Sequence, residues 1–65
     1  MELLEFLRAV SILRTMYGWR LGQAIFNHAL KVNPADALAL VYTDVDPFHD
    51  DKKSWAFLKR FGVTL

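Results

Sequence analysis

The stretch Arg20-Leu21-Gly22-Gln23-Ala24-Ile25-Phe26-Asn27-His28-Ala29-Leu30-Lys31-Val32, running into Asn33-Pro34-Ala35-Asp36, decides the fold class. At about 100° per residue, Leu21, Gly22, Ile25, Phe26, Ala29, Leu30 and Val32 fill one continuous half of a helical wheel. Arg20, Gln23, Asn27 and Lys31 form a narrow polar stripe at spacings of three and four, with His28 at the border. Proline disfavours helix at the residue before it, so this helix ends near Val32. Asn33 then suits the cap of a further helix, Pro34 its first position and Asp36 its positive end. Gly22 falls inside the apolar half, where glycine costs roughly 1 kcal/mol against alanine. Close approach of another helix is the expected reason for it.

Working outward, Glu2 to Tyr17 places Leu3, Phe6, Leu7, Val10, Leu13 and Tyr17 on one helical face. Leu4 and Ile12 intrude on the polar side and Met16 lies at its border, so a partner-facing seam is expected there. Gly18 breaks the chain before Trp19. Downstream, Ala35 to Tyr42 is apolar nearly all round, which predicts a short, buried central helix. Thr43 to Asp51 is a loop carrying Asp44, Asp46, Asp50 and Asp51, in which Asp46-Pro47 predicts a brief helical turn. The last helix is expected from Lys52 to Phe61, with Trp55, Phe57, Leu58 and Phe61 on one side. Lys52, Lys53, Lys59 and Arg60 take the other, and Gly62 stops the helix with Val63 as the following apolar contact. The expectation is an all-α single domain over residues 1–65, built from three to four short helices.

Composition narrows the function classes. Of 65 residues 54% are apolar or aromatic and 23% charged, which excludes a disordered tail. No cysteine is present, so no disulfide framework or cysteine-based zinc site holds the chain together. The charge-free run Leu21 to Leu30 is well short of the ~20 residues that span a bilayer. Acids stand near the amino end where a secretory signal carries bases, so a cytoplasmic protein without membrane contact is expected. A domain near 60 residues is marginal alone. Surplus apolar surface therefore points either to an efficient aromatic core or to burial against another chain.

No motif announces chemistry. The order Asp44-x-Asp46 begins like a calcium loop, but Phe48, His49 and Trp55 stand where the remaining ligands and the glycine belong. Those acids read as helix caps rather than metal ligands, and no cofactor is expected. Phosphate-loop, nucleophile-elbow and zinc-protease spacings are all missing, so catalysis is not expected. The Asn33-Pro34 junction looks superficially like a helix-turn-helix. Its second helix would present Ala35 to Tyr42, which is apolar and acidic, so base readout is excluded. The basic side of the last helix, Lys52, Lys53, Lys59 and Arg60, offers the alternative reading of a small nucleic-acid-associated protein.

The polar stripe and the acidic loop belong together. Arg20 is expected to pair with an aspartate of the Asp44–Asp51 loop, and Asn27 to lie partly buried with a hydrogen bond to it. The competing reading makes the same cluster a docking surface, with Trp19, Arg20, Gln23, Asn27, Phe48 and Asp50 as contacts and Trp19 and Phe48 as apolar anchors. Together with Leu4, Ile12 and Met16, these are the candidate partner-binding residues.

The run Trp19-Arg20-Leu21-Gly22-Gln23-Ala24-Ile25-Phe26-Asn27, then Pro34, then Asp46-Pro47-Phe48-His49-Asp50-Asp51 and an aromatic helix, resembles a group of very small bacterial and phage proteins. Their pattern is roughly R-x-G-Q-x-x-F-N, a proline-led short helix and D-P-F-[YH]-x-D. The resemblance covers about Trp19 to Leu58 and leaves the first eighteen residues outside. A small residue and threonine commonly precede D-P-F in the group, whereas Tyr42-Thr43 precede Asp44-Val45 here. The group carries no established activity, so the resemblance implies a compact helical domain in a phage or mobile-element setting and transfers no catalytic residue. The functional expectation is a non-enzymatic protein-interaction module, of the kind that modulates a host protein or defence complex, with homodimerisation through the first helix.

Overall fold

In the computed structural model, which describes Met1–Thr64, Glu2 starts the first helix by accepting the Leu4 N–H on its carboxylate at 2.9 Å. Helix α1 spans Leu3–Tyr17 and stops at Gly18, whose N–H bonds to the Arg14 carbonyl at 2.9 Å. Helix α2 covers Leu21–Val32, and α3 covers Pro34–Leu40. The junction between them follows the capping logic of its residues. Asn33 accepts the Asp36 N–H at 3.2 Å, and Pro34 opens α3 where its missing N–H costs nothing. A short 3-10 turn, Asp51–Lys53, leads into α4, Ser54–Phe61. Gly62 ends α4 at φ 103°, a left-handed conformation that glycine adopts without strain. Its N–H reaches the Lys59 carbonyl while Val63 N–H reaches Leu58, a Schellman closure that buries Val63. All four helices of the described residues are short, as an all-α domain of this size requires.

Helix α2 is the hub, packing against α1, α3, the 3-10 turn and α4. It contributes Ala24, Ile25, Phe26 and Ala29 to the core. Helix α1 adds Phe6 and Val10, α3 adds Ala37 and Leu40, and α4 adds Phe57 and Leu58. Aromatic rings knit the centre: Phe26 and Phe57 lie 5.8 Å apart, Phe57 and Phe61 5.7 Å, Phe6 and Phe61 6.2 Å. Such separations suit offset and tilted ring pairs, which add to plain burial. The chain ends meet where Thr64 N–H donates to the Met1 carbonyl at 2.8 Å.

The structure corrects several expectations. The third segment is shorter than Ala35–Tyr42 and peripheral rather than central: only Ala37 and Leu40 are buried, and Leu38 is exposed. Apolar character all round reflected small alanines that tolerate solvent, not a place inside the core. Asp46-Pro47 starts no helix. It heads a single hydrogen-bonded turn in which Asp50 N–H returns to the Pro47 carbonyl at 3.1 Å. Tyr17 and Trp55, expected on inner faces, are exposed: Tyr17 is the last residue of α1, where its ring stacks on Trp19, and Trp55 lies at the edge of the α4 face that carries Phe57 and Leu58.

Candidate functional site

The polar stripe and the acidic loop do meet, at a clamp that opens α2. Arg20 stands at the N-cap position but its own side chain makes no capping bond. The cap comes from across the chain, where Asp51 Oδ1 accepts the Gly22 N–H at 2.9 Å. The same oxygen accepts from the Arg20 guanidinium at 3.1 Å, and a second Arg20 nitrogen donates to the Phe48 carbonyl at 2.6 Å. One carboxylate thus answers both the orphan amide and the positive end of α2. The Arg20–Asp51 pair is about half exposed, 49% and 45%, so its Coulombic share is small and its geometry matters more.

Gly22 is part of this clamp. A Cβ there would fall under 3.0 Å from the Pro47 carbonyl oxygen and at 3.0 Å from Asp51 Oδ1. The close neighbour is therefore loop backbone, not the crossing helix expected from the sequence. Pro47 is fully buried against this point. Phe48 turns inward to meet Phe26 edge-on at 6.0 Å. Asp46 fastens the other end of the loop, accepting Tyr42 N–H at 2.8 Å and Phe48 N–H at 2.9 Å on its two oxygens. Asp50 caps the 3-10 turn through Lys52 N–H at 3.0 Å. Arg20, Gly22, Asp46, Pro47, Phe48 and Asp51 each have a structural task in this clamp.

Other expectations fare differently. Asn27 is half-buried as anticipated but makes no hydrogen bond to the loop. The α2 stripe turns away from it within one helical turn, and Gly22 with Asp51 takes the contact instead. Gln23 is likewise half-buried, with no side-chain bond to the loop. Trp19 is half-buried and stacks on Tyr17 at 4.5 Å and 19°, while its carbonyl accepts from Arg14 Nε at 3.3 Å. His28 is the rim histidine expected, edge-on to Phe6 at 4.7 Å; burial, then the neighbouring Lys31 charge, lowers its pKa below the usual 6.5. Among the described residues no three His, Asp or Glu side chains converge as metal ligands.

The basic residues divide into pairs. Lys52 and Lys53 sit on the 3-10 turn and Lys59 and Arg60 in the last turn of α4. At 1.5 Å per residue the pairs stand about 10 Å apart along the axis, and Asp50 and Asp51 directly precede the first.

A larger candidate surface lies on α1. Leu4, Ile12 and Met16 are 61%, 57% and 65% exposed, on the side of α1 that faces away from Phe6 and Val10. With Arg8 they follow the i, i+4 ridge, each step advancing about 40° around the helix. Two open grooves flank this helix. One of about 570 Å³ is lined by Leu7, Val10, Arg14, Trp19 and Leu21 among others. The second, about 360 Å³, runs between Leu7, Leu21, Ile25, Trp55 and Leu58. They share Leu7 and Leu21 but include none of the three ridge residues, and the first is part polar, with Ser11, Arg14 and Thr15 in its lining. Among the described residues no helix is long and apolar enough to cross a membrane. Comparisons with family models, curated proteins and solved structures found no match.

Proposed function

We propose that this chain is a non-enzymatic protein-interaction module whose docking surface is the exposed side of α1, with a second copy of the chain as its first occupant. One observation carries the reading: Leu4, Ile12 and Met16 are each more than half exposed on a helix that already buries Phe6 and Val10. A lone exposed apolar residue needs no explanation. Three on one ridge form the kind of surface that marks an interaction site. A standard interface takes ~800 Å² from each partner. That is about a fifth of this chain's 4215 Å². A two-fold axis across α1 gives an isologous contact, the commonest route to a dimer. The resemblance to small phage proteins gives the heterologous direction of the same proposal, a host or defence protein seated on this face in place of the second copy.

The clamp residues support this choice of surface over the Arg20–Asp51 cluster, because Arg20, Phe48 and Asp50 are engaged within the fold. Sedimentation equilibrium tests the proposal. Wild type is expected to associate in the micromolar range, while Leu4→Glu with Ile12→Glu stays monomeric with an unchanged melting temperature. Wild type that remains monomeric at high micromolar concentration overturns the self-pairing. Capture from lysate, with and without nuclease, then separates protein from nucleic-acid partners: nuclease-sensitive capture favours the basic α4 alternative.

A further inference from the structure

The turn after α3 builds a second surface, following a helix that makes no contact with α1. A cleft of about 190 Å³ opens there, lined by Phe26, Val41, Tyr42, Asp46, Phe48 and His49. Tyr42 is 92% exposed, the most of any large apolar side chain among the described residues. Its backbone takes φ 62°, which asparagine or glycine adopts more readily than an aromatic residue. The fold uses Tyr42 through its N–H, held by Asp46, and no side-chain hydrogen bond or ring pair ties its phenol to the described residues. The rings of Phe48 and His49 meet edge to face at 4.8 Å along the same cleft.

The turn itself carries charge of one sign. Thr43 to Asp50 holds Asp44, Asp46 and Asp50 and neither lysine nor arginine. The guanidinium that reaches this loop, Arg20, is spent on Asp51 and the Phe48 carbonyl at the α2 end. Asp46, the carboxylate lining the cleft, accepts one backbone N–H on each oxygen and keeps a further lone pair on each, which together with the aromatic faces is complementary to a cation. The volume lies below the ~300 Å³ of ordinary ligand pockets and suits a single side-chain head.

We propose that this cleft receives the guanidinium group of an arginine side chain from a partner protein. A planar guanidinium stacks on an aromatic face and offers paired N–H donors to a carboxylate, which a compact ammonium cannot do together. The Asp44, Asp46 and Asp50 charges repel phosphates, so the cleft is not a nucleic-acid contact. The site is distinct from the α1 surface and stands or falls without it.

An NMR titration of the full chain tests it with acetyl-Gly-Arg-Gly-amide and the same peptide carrying citrulline, whose head has the same shape without the charge. The arginine peptide is expected to shift the amides of Tyr42, Asp46, Phe48 and His49 in the millimolar range, with the citrulline peptide about tenfold weaker or more. Tyr42→Asn fits the left-handed backbone, so the fold is kept, and affinity is expected to fall about threefold or more. Asp44→Asn, exposed and away from the turn's own hydrogen bonds, should weaken binding without moving the cleft. Equal affinity for the citrulline peptide, or for a third peptide carrying lysine in place of arginine, overturns the guanidinium assignment. Arginine-peptide binding unaffected by Tyr42→Asn, or no shifts at these four amides, overturns the site.

Discussion

Gly22→Ala should destabilise this protein although alanine is the better helix former. The substitution gains about 1 kcal/mol of helix propensity. Its methyl, however, would lie under 3.0 Å from the Pro47 carbonyl oxygen, and Pro47 is buried with no free space to yield. Ordinary contact needs about 3.5 Å, so the loop backbone must retreat on the order of an ångström. That retreat breaks the 2.9 Å bond from Gly22 N–H to Asp51 and strains the 2.6 Å bond from Arg20 to the Phe48 carbonyl. Each such bond is worth about 1 kcal/mol, and overpacking adds roughly 1–3 kcal/mol. After the propensity gain, a net loss of about 2–4 kcal/mol remains. In a domain this small 1 kcal/mol moves the melting temperature by about 4–8 °C, so a fall of roughly 10–30 °C is expected by circular dichroism. Gln23→Ala, one residue on and half-exposed, is the control and should stay within about 0.5 kcal/mol of wild type. A Gly22→Ala protein that melts at or above the wild-type temperature would refute the reasoning.

Three further outcomes follow from the same geometry. Asp51→Ala should cost about 1–2 kcal/mol in urea unfolding, more than Arg20→Ala, because it removes a helix cap as well as a half-exposed ion pair; the two losses should couple by less than about 1 kcal/mol in a double-mutant cycle. Asn27→Ala should match Lys31→Ala within about 0.5 kcal/mol, since neither side chain holds the loop, and a markedly larger loss for Asn27 would reveal a buried bond. For His28 the folded pKa lies below the ordinary 6.5, so the unfolded chain binds the proton more readily and stability must decline as pH falls from 6.5 through the folded value. Urea midpoints across that range should decline less in His28→Gln than in wild type, and parallel curves would place the decline elsewhere.

The helices were legible because their signals are local. Asn33-Pro34, Gly18 and Gly62 carry cap and stop chemistry within a few residues, and the structure uses all three as such. The pairing of Arg20 with the acidic loop was legible too, as charge and polar stripe pointed at each other. The identity of the partner was not. Asp51 reads as one more acid before a helix, and only the folded position of Pro47 brings it rather than Asp46 or Asp50 to Gly22. Composition misjudged α3, where Ala35, Ala37 and Ala39 look like core yet only Ala37 is buried. The positive φ of Tyr42 has no sequence signal at all, because tyrosine is a poor choice for that conformation. The exposure of Leu4, Ile12 and Met16 was visible from periodicity alone, since the wheel leaves them no core to face.

The cap that Asp51 lends to α2 comes from a residue 29 positions further along the chain, and this bears on the order of assembly. Most helices acquire their caps from a neighbouring residue, so the cap forms as the helix does. Here the first turn of α2 stays open until the chain between has closed a long loop, an entropic debt that short-range pairing does not carry. Packing of α1 on α2 involves neighbours in sequence and is the natural early event; seating of the Pro47–Asp51 segment is the natural late one. Interactions made late act chiefly on the rate of unfolding. The Gly22 amide becomes a reporter of that last step: it is protected from hydrogen exchange only while the segment is seated, so its protection measures local release of the loop where the Ala24–Ala29 amides measure global opening.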